Sequence, residues 1–474
     1  MTPSNISNTN DTICAVATAT GGALGIIRIS GKDAITIADK IFTPSSKPHV
    51  SLAQRHAGTV TYGHICGSDG QVVDDVLVSI FRAPHSYTGE DSVEISCHGS
   101  SYILQKTMHL LINNGCRAAG PGEYTLRAFL NGKMDLSQAE AVADLIASSS
   151  EAAHRVAMNQ MRGGFSRKLK ELRDHLLHLT SLVELEIDFS DHEELEFADR
   201  DELRQLAETI EHTIAKLANS FGTGNTLKNG IPVAIIGETN AGKSTLLNAL
   251  LNDDKAIVSD VHGTTRDVIE DTVCIEGLTF RFIDTAGIRD TNDKIEAMGI
   301  ERSFMAMDKA LIVIMMYDLQ RPAGDFSQFY SQVAGRLSGK QVILAVNKCD
   351  ITADIPPLLN EIVHAQDSAQ FHTVTISAKH NTNIDTLKSL LVKLADVPDM
   401  SANDTIVTNL RHYEALTKSL EAITRVIDGL NTNLPADLLS QDLRECIYHL
   451  NEILGEFSSD EVLKNIFSHF CIGK

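Results

Sequence analysis

One eight-residue segment of the chain has the residue types and spacing of a phosphate-binding loop. It runs from Gly237 to Ser244 as Gly-Glu-Thr-Asn-Ala-Gly-Lys-Ser, after a β-branched run and before an apolar stretch. In a strand–loop–helix context the glycines let backbone N–H groups approach phosphates, and the helix N-terminus adds partial positive charge. We expect Lys243 to contact the β- and γ-phosphates and Ser244 to coordinate Mg²⁺. The predicted nucleotide contacts here are Asn240, Ala241, Gly242, Lys243, Ser244 and Thr245.

Three further segments predict which base is bound and where the metal lies. A strand-like run ends in Asp-Thr-Ala-Gly at residues 284–287, which places a carboxylate near Mg²⁺. A second run ends in Asn-Lys-Cys-Asp at residues 347–350, and the Asp350 carboxylate can accept hydrogen bonds from guanine N1–H and the 2-amino group. A Ser-Ala-Lys segment then supplies a backbone contact to the guanine oxygen. The order and spacing are those of a Ras-like GTPase, and the further predicted GTP contacts are Asp284, Thr285, Ala286, Gly287, Asn347, Lys348, Asp350, Ser377, Ala378 and Lys379.

The residues that would drive hydrolysis depart from those of ordinary signalling GTPases. The segment Gly-Thr-Thr-Arg-Asp at 263–267 resembles a first switch, and Thr265 is the expected Mg²⁺ ligand. Signalling GTPases place a water-orienting glutamine directly after the Asp-x-x-Gly motif, but this chain has Ile288 there. Glu296 could serve as the base, and Asn240 could help to hold a K⁺ ion beside the phosphates. From the residues alone, a solvated helical acid is the simpler interpretation of Glu296, and the K⁺ role of Asn240 is likewise the less favoured one.

The pattern along the chain predicts three zones around this GTPase block, one α+β and two helical. Residues 12 to about 135 alternate short β-like runs with glycine-rich turns, and a Pro-Gly pair at 121–122 begins a change to helix. Two helical zones follow, one on each side of the GTPase block. In both zones apolar residues recur at the spacing of one helix face. They are Leu169, Leu172, Leu176, Leu179 and Val183 in the first zone, and Leu438, Leu439, Leu443, Ile447, Leu450 and Leu454 in the second.

The expected architecture is therefore multidomain α/β, with a Ras-like P-loop domain inserted into an all-helical domain and an α+β domain before both. The predicted bounds are 1–135 for the α+β domain, 136–227 and 396–474 for the two parts of the helical domain, and 228–395 for the GTPase domain.

Composition restricts the cell compartment and the class of partner. The eight cysteines form no CxxC pair, which favours a reduced, cytoplasmic chain, and the first dozen residues lack the features of a secretion signal. The longest apolar run, at 310–317, is too short to span a bilayer and is predicted to be a buried strand, so no membrane is expected as a partner. The net charge of −21 disfavours broad binding to nucleic acid. An acidic run at 188–196 is most simply a solvated loop.

Taken together, these motifs resemble one family over almost the whole chain: the bacterial and organellar tRNA-modification GTPases called MnmE or TrmE. The GTPase segments contribute Asn240, the Gly-Thr-Thr-Arg-Asp segment and Asp-Thr-Ala-Gly-Ile-Arg at 284–289. The N-terminal zone contributes Gly-Ile-Ile-Arg-Ile-Ser-Gly at 25–31, Ser-Tyr-Thr-Gly-Glu-Asp at 86–91 and Pro-Gly-Glu-Tyr at 121–124. The end of the chain contributes Phe-Cys-Ile-Gly-Lys at 470–474.

The resemblance implies a homodimer whose N-terminal domain binds a formyl-tetrahydrofolate-type one-carbon donor. With a flavin-dependent partner of the MnmG or GidA type, such a protein installs an aminomethyl-type group at C5 of the wobble uridine of certain tRNAs. The implied folate-site residues are Arg28, Glu94, Lys133 and Lys474. The resemblance also makes Glu296 the general base, gives Arg289 a role in stabilising the switch, and assigns Asn240, Ser259, Val261 and Thr264 to K⁺; in this family Ser259, Thr264 and Thr265 also line the nucleotide.

Two segments depart from the family pattern, and one residue has two readings. Residues 18–25 lack the expected proline-rich stretch, and Ser100 follows His98-Gly99 where a second glycine is expected, so the lining of the folate pocket near Gly21, Gly25 and Ser100 is in doubt. Cys471 is either a reactive thiol beside the one-carbon donor or a packed tail residue. The alternatives to the main hypothesis are a ribosome-assembly GTPase and a regulatory GTPase without modification chemistry.

Overall fold

The structure is a computed structural model. It describes residues 11–46, 49–188, 200–252, 271–283, 304–352, 356–357, 370–397, 405–457, 459–468 and 470–473. The chain divides into two compact units: the first comprises residues 1–146, 160–214 and 414–474, and the second comprises 147–159 and 215–413. Within the described residues, no helix has both the length and the apolarity that a bilayer crossing requires.

The N-terminal part of the first unit contains a seven-stranded sheet. Its strands are β1 (Ile13–Val16), β2 (Leu24–Ser30), β3 (Phe42–Pro44), β4 (Val60–Cys66), β5 (Val72–Phe81), β6 (Ser92–His98) and β7 (Arg117–Ala118). The strand order is β3-β4-β5-β6-β2-β1-β7, antiparallel except for the parallel pair β1–β7. The three β-like runs predicted from the sequence are β2, the second half of β5, and β6.

Helices α1 (Ala34–Ile41) and α2 (Ser101–Asn113) cover one face of this sheet. Helix α3 (Glu123–Leu130) lies on the opposite face, where its Tyr124 packs with Ile13 and Ala15 of β1. Ile27 and Ile29 of β2 are fully buried in a cluster with Leu104 and Leu111 of α2. Because side chains alternate along a strand, Arg28 points to the opposite face. Helix α3 begins directly after Gly122, which confirms the predicted change to helix at the Pro-Gly pair.

The remaining helices before and after the second sheet range from 9 to 25 residues in length. They are α4 (Leu136–Ala147), α5 (Glu151–Met161), α6 (Gly164–Asp188), α7 (Arg200–Asn219) and α8 (Phe221–Asn229), and, after the second sheet, α12 (Leu410–Asn431), α13 (Ala436–Leu454) and α14 (Asp460–Ser468). Helix α6 packs on α13. All five predicted apolar residues of α6 are buried, so that prediction is confirmed.

The prediction for α13 was wrong at one residue. Leu438 is 47% exposed, whereas Leu439, Leu443, Leu450 and Leu454 are buried and Ile447 is half-buried. The buried stripe follows steps of four and three through Leu439, Leu443, Cys446 and Leu450, which leaves Leu438 on the neighbouring face.

The second unit contains a six-stranded sheet in the order β13-β12-β11-β8-β10-β9. Its elements are β8 (Ile231–Gly237), α9 (Lys243–Asn252), β9 (Asp271–Ile275), β10 (Leu278–Phe282), β11 (Ile312–Asp318), α10 (Ala323–Val333), β12 (Gln341–Asn347), β13 (Gln370–Thr375) and α11 (Ile384–Leu394). All neighbours are parallel except β9 and β10. The carboxyl ends of β8, β11 and β12 therefore meet at one edge, where doubly wound sheets bind ligands. Every residue of β11 is buried, as predicted for this apolar run, although Leu311 just before it is 51% exposed.

Candidate functional site: a nucleotide loop and an N-terminal ion pair

The loop between β8 and α9 has the backbone conformation that its glycines and asparagine favour. Gly242 has φ = +102°, and a Cβ atom there would collide with the side-chain amide of Asn347. Asn240 is exposed and adopts a left-handed conformation with φ = +65°. Asparagine tolerates this conformation better than most residues. The loop therefore turns tightly into the N-terminus of α9, where Ser244 is the second helical residue.

Lys243 folds back over the loop. Its Nζ atom donates hydrogen bonds to the carbonyl oxygens of Gly237 at 2.7 Å and Glu238 at 2.9 Å. Burial lowers the pKa of Lys243 to about 8, and the Glu238 carboxylate opposes that shift. The ammonium group is thus already held at the loop that would receive a nucleotide's phosphates.

Asn347, at the end of β12, joins two parts of the predicted site. Its Nδ2 atom donates to the Ala241 carbonyl oxygen at 2.8 Å, and its Oδ1 atom accepts from the Ala378 backbone N–H at 3.0 Å. All three residues are buried. The sequence predicts only a nucleotide contact for Asn347. Its two buried hydrogen bonds give it a second role, which is to hold the phosphate loop and the Ser-Ala-Lys segment in register.

The base end of the site is built around Asp350. The Ser377 hydroxyl, together with the charges of His380 and Lys379, holds the pKa of Asp350 below its ordinary range although burial opposes this. His380 Nε2 lies 3.6 Å from an Asp350 carboxylate oxygen. Paired backbone hydrogen bonds between Ser377 and Thr382 close the following turn. Asp350 is therefore an ionised acceptor beside a fixed loop, as recognition of a guanine edge requires.

Two residues at the end of β11 and just after it, Asp318 and Arg321, contact the site and were not predicted from the sequence. Arg321 contacts the Glu238 carboxylate at 3.3 Å and donates to the Thr239 carbonyl oxygen at 3.1 Å. Lys348, with φ = +67°, places its Nζ atom 2.6 Å from the carboxylate of Asp318. No local motif marks Arg321 or Asp318, because their partners lie in distant segments.

Several predicted site residues lie outside the described residues, so their roles stay predictions. They are Ser259, Val261, Thr264 and Thr265 of the first switch, Asp284, Thr285, Ala286 and Gly287 of the Asp-x-x-Gly motif, Ile288, Arg289 and Glu296 after it, and Lys474 at the chain end. Within the described residues, no group of three or more His, Cys, Asp or Glu side chains could hold a metal ion.

A second candidate site lies on the face of the first sheet that packs against α3. The antiparallel register of β2 and β6 places Arg28 opposite Glu94. The Arg28 Nε and Nη2 atoms lie 2.9 and 2.8 Å from Glu94 Oε1, and both side chains are about a quarter exposed, at 24% and 27%. The Arg28 guanidinium carbon is 5.7 Å from the ring centres of both Tyr87 and Tyr124. The structure thus joins a cation, a carboxylate and two aromatic rings.

The two tyrosines are held in place and remain neutral. Tyr124 OH donates to the Arg28 carbonyl oxygen at 2.8 Å, and Tyr87 OH lies 2.8 Å from the Thr125 hydroxyl. Burial raises the pKa of both tyrosines. Neither ring was assigned to the site from the sequence, although Tyr87 and Tyr124 stand within the quoted Ser-Tyr-Thr-Gly and Pro-Gly-Glu-Tyr motifs.

The end of the chain lies beside this ion pair. Lys133 lies beside the segment that carries Tyr87. Arg28 Nη1 donates to the Gly473 carbonyl oxygen at 3.3 Å, and Cys471 is exposed. Lys133 Nζ donates to the Pro84 carbonyl oxygen at 2.9 Å, at the start of the segment that carries Tyr87. Three of the four predicted folate-site residues are therefore described, and two of them are in direct contact.

The two departures from the family pattern meet each other. Gly99 N–H donates to the Ala23 carbonyl oxygen at 3.1 Å. His98 Nδ1 lies 2.7 Å from an Asp74 carboxylate oxygen, and Ser100 precedes α2 without a side-chain capping bond. The unusual residues at 18–25 and 98–100 are thus hydrogen-bonded to each other where β2 begins and β6 ends.

Comparisons with known proteins identify the family. The model of the MnmE helical domain matches residues 136–471, and the model of the GTP-binding protein TrmE N-terminus matches residues 12–133. A tRNA modification GTPase MnmE of Parabacteroides distasonis is 62% identical over 98% of this chain and 100% of its own length. Proteins of the same name from Bacteroides fragilis strain YCH46 and Flavobacterium johnsoniae are 59% and 49% identical, each over 98% of this chain and 99% of their own length.

A solved structure of Era in complex with MgGDPNP and ribosomal RNA is 29% identical over 40% of this chain and 65% of that chain, with a TM-score of 0.27, which is too low to support an argument. The family models and the full-length relatives carry the identification. The chain belongs to the tRNA modification GTPase MnmE family, and it is a GTP hydrolase.

Proposed function

We propose that this GTP hydrolase, acting as a homodimer with a flavin-dependent partner of the MnmG or GidA type, installs an aminomethyl-type group at C5 of the wobble uridine of certain tRNAs. The carbon would come from a formyl-tetrahydrofolate-type donor bound at the Arg28–Glu94 pair. The relatives' shared name supports the tRNA-modification part of this proposal. The pairing of Arg28 with Glu94 between two tyrosine rings is the observation that carries the folate part.

The chemistry of the donor set fits a folate. A folate has a glutamate tail whose carboxylates suit a guanidinium group, and a pterin edge whose N–H donors suit a carboxylate. Arg28 and Glu94 supply these two groups side by side, and each remains accessible. Tyr87, which is 38% exposed, adds aromatic surface on which a flat ring can stack, while the fully buried Tyr124 supports the Arg28 guanidinium. Lys133 and Lys474 are proposed to contribute further positive charge to the same ligand.

A binding measurement tests this assignment apart from catalysis. Formyl-tetrahydrofolate is titrated calorimetrically into the full-length protein, and we expect Arg28→Ala and Glu94→Gln each to weaken binding about tenfold or more, because hydrogen bonds to charged groups are lost. Lys106→Ala is the matched control, since Lys106 is an exposed cation on α2, which covers the other face of the sheet. Unchanged affinity in both site variants would remove the folate assignment.

GTP hydrolysis is proposed to depend on Mg²⁺ and K⁺. Ser244 and Thr265 would hold Mg²⁺, and Asn240, Ser259, Val261 and Thr264 would hold K⁺ beside the phosphates. The exposed, left-handed Asn240 in the phosphate loop supports the cation proposal, because its side-chain oxygen is free to face a ligand in that loop. A bound K⁺ would supply positive charge where an arginine finger acts in other GTPases.

The rate of GTP turnover tests the cation proposal. We expect faster turnover in KCl than in NaCl at equal ionic strength, and we expect Asn240→Ala to lose that preference while GDP binding persists. Equal rates in both salts would refute it. Glu296 is proposed as the general base, and Glu296→Gln is expected to lower kcat at least about a hundredfold with little change in GTP affinity. Arg289 is proposed to stabilise the same switch.

The tRNA reaction is tested in cells. Chromatography of tRNA nucleosides from a deletion strain is expected to show loss of the modified wobble uridine, restored by the parent gene but not by the Arg28→Ala gene. Unchanged tRNA in the deletion strain would favour a GTPase without modification chemistry.

A further inference from the structure

The phosphate loop of this chain carries a negative charge of its own. Glu238 follows Gly237 directly, and its side chain is 19% exposed. The carboxylate is close enough to Lys243 to act on its pKa. A carboxylate in this position repels the phosphates that the loop must receive, and the repulsion grows with the charge of the ligand.

Arg321 is placed to cancel that charge. It follows β11, 83 residues away in sequence, and its Nη1 atom lies 3.3 Å from Glu238 Oε2. Its Nη2 atom donates to the Thr239 carbonyl oxygen at 3.1 Å. One guanidinium group thus contacts both the charged side chain and the backbone of the phosphate loop.

The backbone of Arg321 is itself anchored. Tyr317 OH donates to the Arg321 carbonyl oxygen at 2.7 Å, and the Arg321 N–H donates to the Asp318 carbonyl oxygen at 3.0 Å. Tyr317 is only 2% exposed and packs edge-on against Phe326 of α10. The segment after β11 therefore presents the guanidinium from a fixed base.

We propose that Arg321 is a positioning residue for the nucleotide phosphates: it masks the Glu238 carboxylate and fixes the Thr239 carbonyl so that the loop accepts a triphosphate. The simpler interpretation is an exposed ion pair with little effect on stability or nucleotide affinity, since such pairs contribute little to stability and Arg321 is 38% exposed. The two interpretations differ in where the effect appears. A masking role acts on nucleotide affinity and follows the charge of the ligand.

The first measurement compares nucleotides of different charge. Fluorescent GDP and a non-hydrolysable GTP analogue are titrated into the full-length protein and into Arg321→Met, which keeps a long side chain without its charge. One unmasked charge ~7 Å away at an effective dielectric constant of ~40 changes affinity about tenfold. We expect a loss of about tenfold for the GTP analogue and a smaller loss for GDP. The loss should shrink when ionic strength is raised with choline chloride at constant KCl, because salt screens the repulsion.

The second measurement asks whether Arg321 acts through Glu238. In the Glu238→Gln background no carboxylate remains to be masked, so Arg321→Met is expected to cost less than about threefold there. Arg321→Lys, which keeps the charge, is expected to recover most of the affinity for the GTP analogue. The matched control is Arg336→Met, because Arg336 forms a similarly exposed ion pair with Asp308 in the same unit and should leave both affinities unchanged.

Three results would overturn the proposal. They are equal losses for GDP and the GTP analogue, a loss that does not depend on ionic strength, and the same loss with and without the Glu238 carboxylate. Thermal unfolding of Arg321→Met and Arg336→Met tests whether an affinity loss comes from general destabilisation. If Tm shifts by a similar small amount in both variants, an affinity loss seen only in Arg321→Met is specific to Arg321.

Discussion

Replacing Asn347 should loosen the nucleotide site by a predictable amount. The Asn347 side chain makes two buried hydrogen bonds, one to the Ala241 carbonyl oxygen and one from the Ala378 N–H. In Asn347→Ala both backbone groups lose their partner in surroundings where all three residues are at most 4% exposed. Each buried unsatisfied group costs about 1–3 kcal/mol, so a local destabilisation of about 3 kcal/mol is a conservative sum.

Amide hydrogen exchange is the suitable assay for this change. The chain has two compact units, so a single free energy of unfolding is not well defined, whereas exchange reports local opening. Since about 1.4 kcal/mol corresponds to a factor of ten, the protection of the Ala378 amide should fall roughly a hundredfold in nucleotide-free Asn347→Ala. Asn229→Ala is the control, because its side chain makes an exposed hydrogen bond to Asn225 within the same unit.

A second variant separates the two hydrogen bonds. Asn347→Asp keeps an oxygen that accepts from Ala378 but places another oxygen against the Ala241 carbonyl. We therefore expect it to preserve most of the Ala378 protection while weakening GDP binding, because the phosphate loop loses its donor. If Ala378 exchanged within threefold of the parent rate in Asn347→Ala, the joining role of Asn347 would be wrong.

Further predictions concern the buried charges of the first unit and the phosphate loop. Changing Arg127, which is 2% exposed, to Met should destabilise the first unit locally by about 1–3 kcal/mol, measured by amide hydrogen exchange, because Glu90 loses its guanidinium partner. Asp11 and Glu123 lose one of their two arginine partners and keep Arg117. Burial raises the pKa of Asp11 and Glu123, but the neighbouring arginines outweigh it and lower both. Their contribution is therefore present above the unfolded pKa values near 4 and lost as pH falls through the folded values, so acid unfolding should begin at a higher pH in Arg127→Met, and an unchanged midpoint would contradict this. Gly242→Ala should abolish GDP binding, because its Cβ atom would collide with Asn347, and retained binding would show that the loop can relax.

The predicted strands and helices were confirmed where the sequence has a regular spacing of apolar residues or a clear Pro-Gly turn. Alternation in β2 and the steps of three and four in α6 predicted which side chains are buried. The error at Leu438 arose where two adjacent leucines compete for one helical stripe. Periodicity alone does not decide which of two neighbours faces the core, because the packing partner, here α6, selects the face.

The sequence by itself determined the nucleotide chemistry of this protein. The phosphate loop and the guanine segment are contiguous, and each carries its geometry locally, as the φ of +102° at Gly242 and the position of Ser244 in α9 show. Only the tertiary structure decided how these segments are joined and masked. Asn347 reaches Ala241 across 106 residues and Arg321 reaches Glu238 across 83, and Arg28 meets Glu94 because of strand register. Such contacts depend on how strands align in the folded chain, and a local sequence motif does not specify that alignment.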